Sequence, residues 1–397
     1  MDKVRVGIVG IGNIGSAHAK KIYNSSVSTL SLKAICDINL DRLDWAKENF
    51  TDVDIYDDYS DMLENADIDA VIVSTPHYLH PQMAIDAFKS NYNVLSEKPA
   101  GVCAEDIQQI EDVAKSVGKL YAIMFNQRTD PLFIKTKEII ESGRLGNVQK
   151  FMWNITNWYR TQAYYNSSDW RATWAGEGGG VLMNQAPHNL DIWQWLIGVP
   201  DRLRAFLYYG KYHNIEVEDD ATLYGEYDNG ATALFVTSTG EYPGTNRLEI
   251  SGDRGKIVLE NGNLKFFESS VSQKEQCYIE ETFFPNWEIA VEEYNLDDLM
   301  KGNYWDVGHL AVLENFGDAI LNGKELVARG IEGLNSLSIA NASYISDWNN
   351  NQWVKLPLDT KFSELLEEKC KNSKKKVEGK GSSEGSDNYS DRWQVNW

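Results

Sequence analysis

The sequence has few cysteines and lacks the features that would place it in several common classes of protein. Cys36, Cys103, Cys277 and Cys370 are widely separated and form no CxxC pair, so neither a zinc-binding knuckle nor a disulfide framework is indicated. No apolar run approaches the roughly 20 residues that a membrane-spanning helix needs. The N-terminal stretch MDKVRVGIVG has neither the basic nor the apolar region of a secretory signal. We therefore expect a cytoplasmic protein without a bound metal.

Positive charge is also scarce. The chain has 38 Lys and Arg against 59 Asp and Glu, which gives a net charge of −21 at pH 7. Such a surface repels nucleic-acid phosphates and anionic membranes, so neither is expected as a partner. With 397 residues, of which 42% are hydrophobic and 24% charged, the chain suits two globular domains that bind a small molecule.

Through about residue 125, short apolar runs alternate with amphipathic helical patterns, which is typical of βαβ units around a parallel sheet. We predict an α/β Rossmann domain over residues 1–126. The predicted strands are Val4–Val9, Leu32–Cys36, Ala70–Ser74, Asn93–Leu95 and Leu120–Phe125.

The remainder of the chain has a different texture. Hairpin signals at Asp228-Asn229-Gly230 and Asn261-Gly262 join strand-like stretches, and two long helical segments follow. We predict an α+β domain with an open, mainly antiparallel sheet over residues 127–368, and a tail over residues 369–397. The composition of the tail is typical of disorder, but its aromatic end leaves a second possibility open. Trp393, Val395 and Trp397 could dock on their own domain or on a neighbouring subunit.

A glycine-rich turn follows the first predicted strand and precedes a helix. A lone GxGxxG is weak evidence, but this context is typical of dinucleotide binding. The first glycine permits the tight turn, the second admits the pyrophosphate, and the third allows close packing, while the helix N-terminus offers free N–H groups. The predicted cofactor ligands are Gly10, Gly12, Asn13, Ile14 and Gly15.

Asp37 ends the second predicted strand, 22 residues beyond Gly15 (37 − 15), close to the spacing of a ribose-binding acid. Its carboxylate would accept hydrogen bonds from the adenosine ribose and repel a 2′-phosphate. No arginine follows immediately to accommodate that phosphate. NAD is therefore favoured over NADP as the cofactor.

Three further stretches complete a pattern that resembles the glucose-fructose oxidoreductase, inositol dehydrogenase and rhizopine catabolism family (Gfo/Idh/MocA). They are STPHYLHPQMAIDAFKSNYNVLSEKP, GEGGGVLMNQAPHNLD, and the segment from GDAILNG to VKLPLD. The resemblance covers about residues 3–368. It implies that the outer face of the second sheet forms a homodimer or homotetramer.

The resemblance also assigns residues around the nicotinamide. It implies that Lys98, in the triplet Glu97-Lys98-Pro99, lies beside the nicotinamide and hydrogen-bonds the reacting hydroxyl. Further residues that it places in the cofactor cleft or near the nicotinamide are Thr75, Pro76, His77, His80, Glu97, Asn126 and Arg128.

His188 is the candidate base for the reaction. Oxidation of a secondary alcohol needs a proton acceptor at the hydroxyl, and a histidine near a positive helix N-terminus stays neutral. In many members of the family a carboxylate stands four residues before this histidine, whereas this chain has Asn184. Asp191, at i+3, could supply the missing charge or face elsewhere. Lys98 could act as a cation or as a neutral base.

The segment before the glycine run mixes aromatic residues with arginine and asparagine and has no regular period, which is typical of a loop over an active site. We predict that it binds a sugar, cyclitol or glycoside whose ring alcohol is oxidised, with the 3-position of a glucoside as a candidate. The alternatives are a glycoside hydrolase or lyase that uses transient ring oxidation, and a non-enzymatic sugar sensor. The predicted substrate-binding residues are Tyr159, Arg160, Tyr165, Trp170, Arg171, Trp174, Asn184 and Asp191.

Overall fold

A computed structural model describes residues 3–283, 287–300 and 304–373. The expectation that Trp393, Val395 and Trp397 form an ordered aromatic end lies outside these residues. Within them, no helix is long and apolar enough to cross a membrane.

In the part of the chain that the structure describes, the N-terminal domain is built around a six-stranded parallel sheet with strand order β3-β2-β1-β4-β5-β6. Its central strands are buried on both faces, as expected for a parallel sheet covered by helices. The strands are β1 Val4–Val9, β2 Leu30–Cys36, β3 Asp54–Tyr56, β4 Ala70–Val73, β5 Asn93–Ser96 and β6 Tyr121–Ile123. The helices are α1 Asn13–Tyr23, α2 Leu40–Asn49, α3 Tyr59–Asn65, α4 His80–Lys89 and α5 Ala104–Ser116.

The Rossmann prediction is confirmed, and the strand order reverses between β1 and β4, where folds of this kind bind their ligands. Strand β3 was not predicted from the sequence. It has three residues, none of them fully buried, so it offers no apolar run to recognise.

The second domain contains a mixed, mainly antiparallel sheet with nine strands among the described residues, in the order β14-β13-β12-β11-β7-β10-β9-β8-β15. Only the β7–β10 pair is parallel in this set. The open, mainly antiparallel sheet predicted from the hairpin signals is thus confirmed. The strands are β7 Val148–Ile155, β8 Arg202–Tyr209, β9 Glu218–Glu226, β10 Thr232–Ser238, β11 Asn246–Gly252, β12 Gly255–Glu260, β13 Asn263–Glu268, β14 Ala290–Asn295 and β15 Val354–Lys355.

Helices cover one face of this sheet, and α13 packs directly on β8. The opposite face exposes Met152, Phe206, Tyr208 and Val291, and self-association through it stays a prediction. The helices are α6 Pro131–Glu141, α7 Gln162–Tyr165, α8 Trp174–Glu177, α9 Pro187–Ile197, α10 Gln273–Ile279, α11 Leu296–Leu299, α12 Tyr304–Asn322, α13 Gly333–Trp348 and α14 Phe362–Lys371.

Helix α12 returns to the first domain. Its residues Val312, Leu313 and Phe316 are buried in the same apolar cluster as Val4 and Ile8 of β1. The core of the N-terminal domain is therefore completed by residues far along the chain. Helix α14 crosses the tail boundary that the composition predicted at residue 369.

A buried ion pair joins the end of the first domain to the second. Arg128 lies in the 3₁₀ turn Asn126–Thr129 that follows β6, and Asp191 lies on α9. The Arg128 Nε and Nη2 atoms donate to the two carboxylate oxygens of Asp191 over 2.8 and 2.7 Å, and both side chains are 1% exposed. Arg128 also pairs with Glu332 at 2.7 Å. The pair fixes α9 against the edge of the Rossmann domain.

Replacing Asp191 by alanine leaves the Arg128 guanidinium buried without its main partner. Breaking a buried pair in this way costs about 3–5 kcal/mol. We expect Asp191→Ala to lower the thermal unfolding midpoint, measured by differential scanning calorimetry. The control is Glu138→Ala, which removes the exposed pair with Lys135 and should cost less than about 1 kcal/mol. Equal midpoints for the two variants would contradict this account.

Candidate functional site

The glycine turn between β1 and α1 has the shape of a nucleotide cradle. Gly10 has a φ of +83°, and a Cβ on Gly15 would lie 2.0 Å from the Gly10 carbonyl oxygen, so the fold requires both glycines. At Gly12, by contrast, a Cβ would meet no described atom within 4 Å. Gly12 therefore faces open space in front of the α1 N-terminus, where Asn13 and Ile14 form the first turn.

The N-terminal end of helix α1 offers backbone hydrogen-bond donors to this space. Among the described side chains, none caps its N-terminus. Free N–H groups and the positive end of a helix dipole favour a phosphate ligand. The residues present therefore fit the pyrophosphate of a dinucleotide.

Asp37 lies beside this turn, at the end of β2. Its carboxylate accepts hydrogen bonds from the backbone N–H groups of Ile11 at 2.8 Å and Asn39 at 2.9 Å. Arg42, which the sequence analysis did not single out, donates to the Ile11 carbonyl over 2.9 Å and to the Ser16 hydroxyl over 2.5 Å. A carboxylate and a guanidinium cation therefore both lie at this end of the cradle, and the preference for NAD over NADP stays a prediction.

His80 ties together two loops at the carboxyl edge of the sheet. Its Nε2 lies 2.6 Å from the Thr75 carbonyl oxygen, and its Nδ1 lies 2.7 Å from the Pro99 carbonyl oxygen. Burial lowers the pKa of His80, although these backbone contacts oppose the shift. Since Pro99 follows Lys98, this contact links the loop after β4 to the residue predicted to be catalytic. Pro76 begins the intervening 3₁₀ turn, His77–Leu79.

The Glu97 carboxylate extends toward helix α1 and also accepts a hydrogen bond from the Lys98 backbone N–H over 3.2 Å. Its Oε1 lies 2.8 Å from the His18 Nε2, and both side chains are buried. Burial raises the pKa of Glu97, but His18, His309 and Lys98 outweigh this effect and lower it. The His309 ring lies 5.7 Å from that of His18, and its Nδ1 lies 3.5 Å from the Asn126 amide nitrogen. His18 and His309 stand in no recognisable motif, so this cluster could not be predicted from the sequence.

The structure places Lys98 against the turn that leads into His188. The half-buried Lys98 donates from Nζ to the backbone carbonyl oxygen of Asn184 over 3.0 Å. Burial holds the pKa of His188 well below its usual value, and the charges of Lys98 and His309 add to the shift. A neutral imidazole therefore stands within the electrostatic reach of the lysine. The His188 ring also packs edge-on against Phe125.

The Asn184 side chain contacts a carboxylate that the sequence analysis missed. Its Nδ2 donates to the Oε1 of Glu177, which is 1% exposed. Glu177 also accepts from the Ala172 N–H over 2.6 Å and lies 3.7 Å from the Arg171 guanidinium. Burial raises the pKa of Glu177, while Arg171 opposes the shift. The one feature of the sequence that could have pointed to Glu177 was the presence of a charged residue inside the glycine run GEGGG.

A second buried carboxylate holds the glycine run itself. Glu218 accepts from the backbone N–H groups of Gly180 at 3.0 Å and Leu182 at 2.9 Å, and from the Tyr344 hydroxyl at 2.8 Å. Burial raises the pKa of Glu218 to about 7. Glu218 thereby fixes the turn that leads into Asn184.

The aromatic segment divides between core and site. Trp174 packs edge-on against Tyr344 and Trp348, and Tyr165 is buried with its hydroxyl 2.7 Å from Thr239. Tyr159 is 42% exposed. The structure therefore places Trp174 and Tyr165 in the protein core, and we leave them out of the proposed substrate contacts.

Trp170, Arg171 and Arg160 do lie at the site, around Tyr164. The Arg171 Nη1 donates to the Tyr164 hydroxyl over 2.7 Å, and its guanidinium lies 4.6 Å from the Trp170 ring. The Arg160 guanidinium lies 5.1 Å from the Tyr164 ring, and Trp170 lies 6.2 Å from the His77 ring. Asp191 is not in this group, because both its carboxylate oxygens are engaged by Arg128, with Gln194 also donating to one of them.

Comparison with known proteins agrees with this geometry. The family model described as an oxidoreductase family with an NAD-binding Rossmann fold matches residues 4–125, and the Gfo/Idh/MocA C-terminal domain model matches residues 133–258. The chain is 26% identical over 347 residues to the uncharacterized oxidoreductase YrbE of Bacillus subtilis, covering 86% of this chain and 93% of YrbE.

Two further relatives have named substrates or ligands. The chain is 22% identical to scyllo-inositol 2-dehydrogenase (NAD(+)) of Bacillus subtilis, covering 91% of this chain and 98% of that protein. It also resembles the crystal structure of the WlbA dehydrogenase of Chromobacterium violaceum in complex with NADH and UDP-GlcNAcA. That likeness has a TM-score of 0.77 and 27% identity and covers 90% of this chain and 97% of the other.

The two family models together cover most of the chain, in the order of the two observed domains. They confirm the predicted NAD-binding domain and the prediction of an NAD-dependent oxidoreductase. The chain belongs to the Gfo/Idh/MocA family of NAD-binding oxidoreductases.

Proposed function

We propose that the protein oxidises a ring secondary alcohol of a sugar, cyclitol or glycoside with NAD, with the 3-position of a glucoside as the first candidate. The observation that carries the proposal is that Lys98 donates to the backbone of Asn184, four residues before the neutral His188, so that both side chains lie at the same turn. The names of the relatives support a polyol or sugar substrate, since one is an inositol dehydrogenase and another binds a nucleotide sugar.

The proton chemistry belongs to the side chains of this protein, while bound NAD supplies the hydride acceptor. His188 is neutral at pH 7 and able to take the hydroxyl proton. A protonated Lys98 stabilises negative charge that develops on the substrate oxygen. Alternatively, because burial lowers the pKa of Lys98, the neutral amine serves as the base. Both routes need a substrate oxygen between the two groups.

Substrate recognition is assigned to the cluster around Tyr164. The Arg171 guanidinium packs over the rings of Tyr164 and Trp170; these rings would contribute apolar surface for the C–H groups of a sugar, and Arg171 and Asn184 would bind its hydroxyl groups. On the cofactor side, Gly12 and the first turn of α1 would hold the pyrophosphate. Asp37 would bind the ribose hydroxyls and disfavour the 2′-phosphate of NADP.

A screen of polyols tests the proposed activity. Purified protein is incubated with NAD and, separately, with inositols, free sugars and aryl glucosides, and NADH is followed by its absorbance. We expect NADH formation with at least one ring polyol. Cleavage of a glycoside without net NADH formation would instead favour a glycoside hydrolase. No reaction with any of these compounds would contradict the proposal.

Removing the lysine amine tests the site. Lys98→Ala removes the group that stabilises or accepts charge at the reacting oxygen, so we expect kcat/KM to fall by about 10³-fold. NADH binding, measured by fluorescence titration, should be retained. Lys47→Ala, on an exposed pair with Asp44, serves as the control and should retain full activity. Undiminished turnover in Lys98→Ala would refute the assignment of Lys98.

Adding a methyl group in the glycine turn tests the cofactor cradle. Gly12→Ala meets no described atom of the protein, but it would intrude on the pyrophosphate. We expect an unchanged melting temperature of the free protein together with a Kd for NADH that is raised about tenfold or more. Gly15→Ala, which clashes with the Gly10 carbonyl, should lower the melting temperature as well. Unchanged NADH affinity in Gly12→Ala would show that the cofactor lies elsewhere.

A further inference from the structure

We propose that Glu177 is a positioning residue for Lys98, acts through Asn184, and supplies the negative charge that an amide at position 184 cannot provide. This inference rests on the proposed function, because it concerns the lysine assigned to the reacting hydroxyl. Neither the sequence motifs nor the names of the relatives point to Glu177.

Two hydrogen bonds that share Asn184 carry the proposal. The Glu177 carboxylate accepts from the Asn184 side-chain amide, and the Asn184 backbone carbonyl accepts from the Lys98 ammonium over 3.0 Å. One asparagine thus contacts the carboxylate with its side chain and the lysine with its backbone. A shift of Glu177 would move both ends of Asn184.

Glu177 is fixed in place and shielded from water. It is 1% exposed, its Oε2 accepts from the Ala172 N–H, and its Oε1, which Asn184 contacts, also lies 3.7 Å from the Arg171 guanidinium. Its own backbone carbonyl lies 3.2 Å from the His77 Nδ1. A charge in such surroundings acts more strongly on its neighbours than one in water, because the local dielectric is low.

The sign of the effect on Lys98 follows from the charges that face it. Burial lowers the pKa of Lys98, while the carboxylates of Glu97 and Glu177 raise it again. Glu97 is already engaged with His18, so Glu177 is the carboxylate that approaches from the side of Asn184. The remaining charged or titratable groups that act on or are influenced by Lys98 are Arg160, Arg171, His77, His80 and His188.

Moving the carboxylate from position 177 to position 184 tests whether the effect on Lys98 comes from the negative charge or from the shape of the side chain. Glu177→Gln keeps the size of the side chain and removes its charge, but it replaces one of the two acceptor oxygens, which contact Asn184 and Ala172, by an N–H donor. Glu218→Gln makes the same change of acceptor to donor and so controls for it. The double variant Glu177→Gln/Asn184→Asp returns one carboxylate to the same contact. If the charge is what matters, the double variant restores the titration of Lys98 that the single variant loses.

The test measures the titration of Lys98 directly. The full-length protein is labelled competitively with acetic anhydride across a pH series, and acetylation of Lys98 is quantified by mass spectrometry. We expect Glu177→Gln to lower the midpoint by about one pH unit, since it removes a nearby opposite charge. The double variant should return the midpoint to near the wild-type value. An unchanged midpoint in Glu177→Gln overturns the proposal.

Two further variants complete the test. Glu218→Gln removes a carboxylate that is equally buried and holds the same turn through Gly180 and Leu182. A midpoint shift in this control as large as that of Glu177→Gln would also overturn the proposal. If Glu177→Gln does not fold, Glu177→Asp withdraws the carboxylate by one methylene and must still lower the midpoint.

A kinetic readout then connects the charge to turnover. The limb of the kcat/KM pH profile that belongs to Lys98 should move to lower pH in Glu177→Gln and return in the double variant. The labelling result needs no substrate, so it stands even if the polyol screen fails. Loss of the proposed function and loss of this inference are therefore distinguishable.

Discussion

The buried ion pair between Arg128 and Asp191 is the interaction on which the arrangement of the site depends. It fixes helix α9, which carries His188, against the turn that ends the Rossmann domain. Lys98 belongs to the first domain and His188 to the second, so their proximity is a property of the joint between them. Burying the two charges costs desolvation free energy, so the pair adds little net stability. Its contribution is to define the position of α9 more precisely than apolar packing alone would.

Around this joint the polar groups are arranged in two layers. The inner layer holds the groups that would meet the substrate, with Lys98 and neutral His188 at its centre. The outer layer consists of buried groups that hold backbone atoms, such as His80 between two loop carbonyls and Glu218 under the glycine run. The outer groups fix the loops from which the inner groups project, so the geometry of the site does not depend on substrate contacts.

The parts of the site that could be predicted from the sequence are those defined by spacing between nearby residues. The glycine turn, Asp37 and the Glu97-Lys98-Pro99 triplet lie within single strand-loop-helix units, so their arrangement is set by nearby residues. His18 and His309 could not be found in this way, because their contacts join distant segments. Glu177 contacts a near neighbour in sequence, Asn184, but its relation to Lys98 depends on the fold, which brings Lys98 to the Asn184 backbone from 86 positions away. The aromatic segment was ambiguous for the same reason. Whether Trp174 faces a substrate or Tyr344 is decided by α13, more than 150 residues later in the chain.

The return of helix α12 to the first sheet makes the NAD-binding domain discontinuous in sequence. Val312, Leu313 and Phe316 fill the apolar face that β1 and β2 leave open, so residues 1–126 do not contain their own complete core. The chain therefore crosses between the two domains more than once. Relative rotation of the domains would have to bend all of these crossings together, which favours a cofactor cleft of nearly constant width.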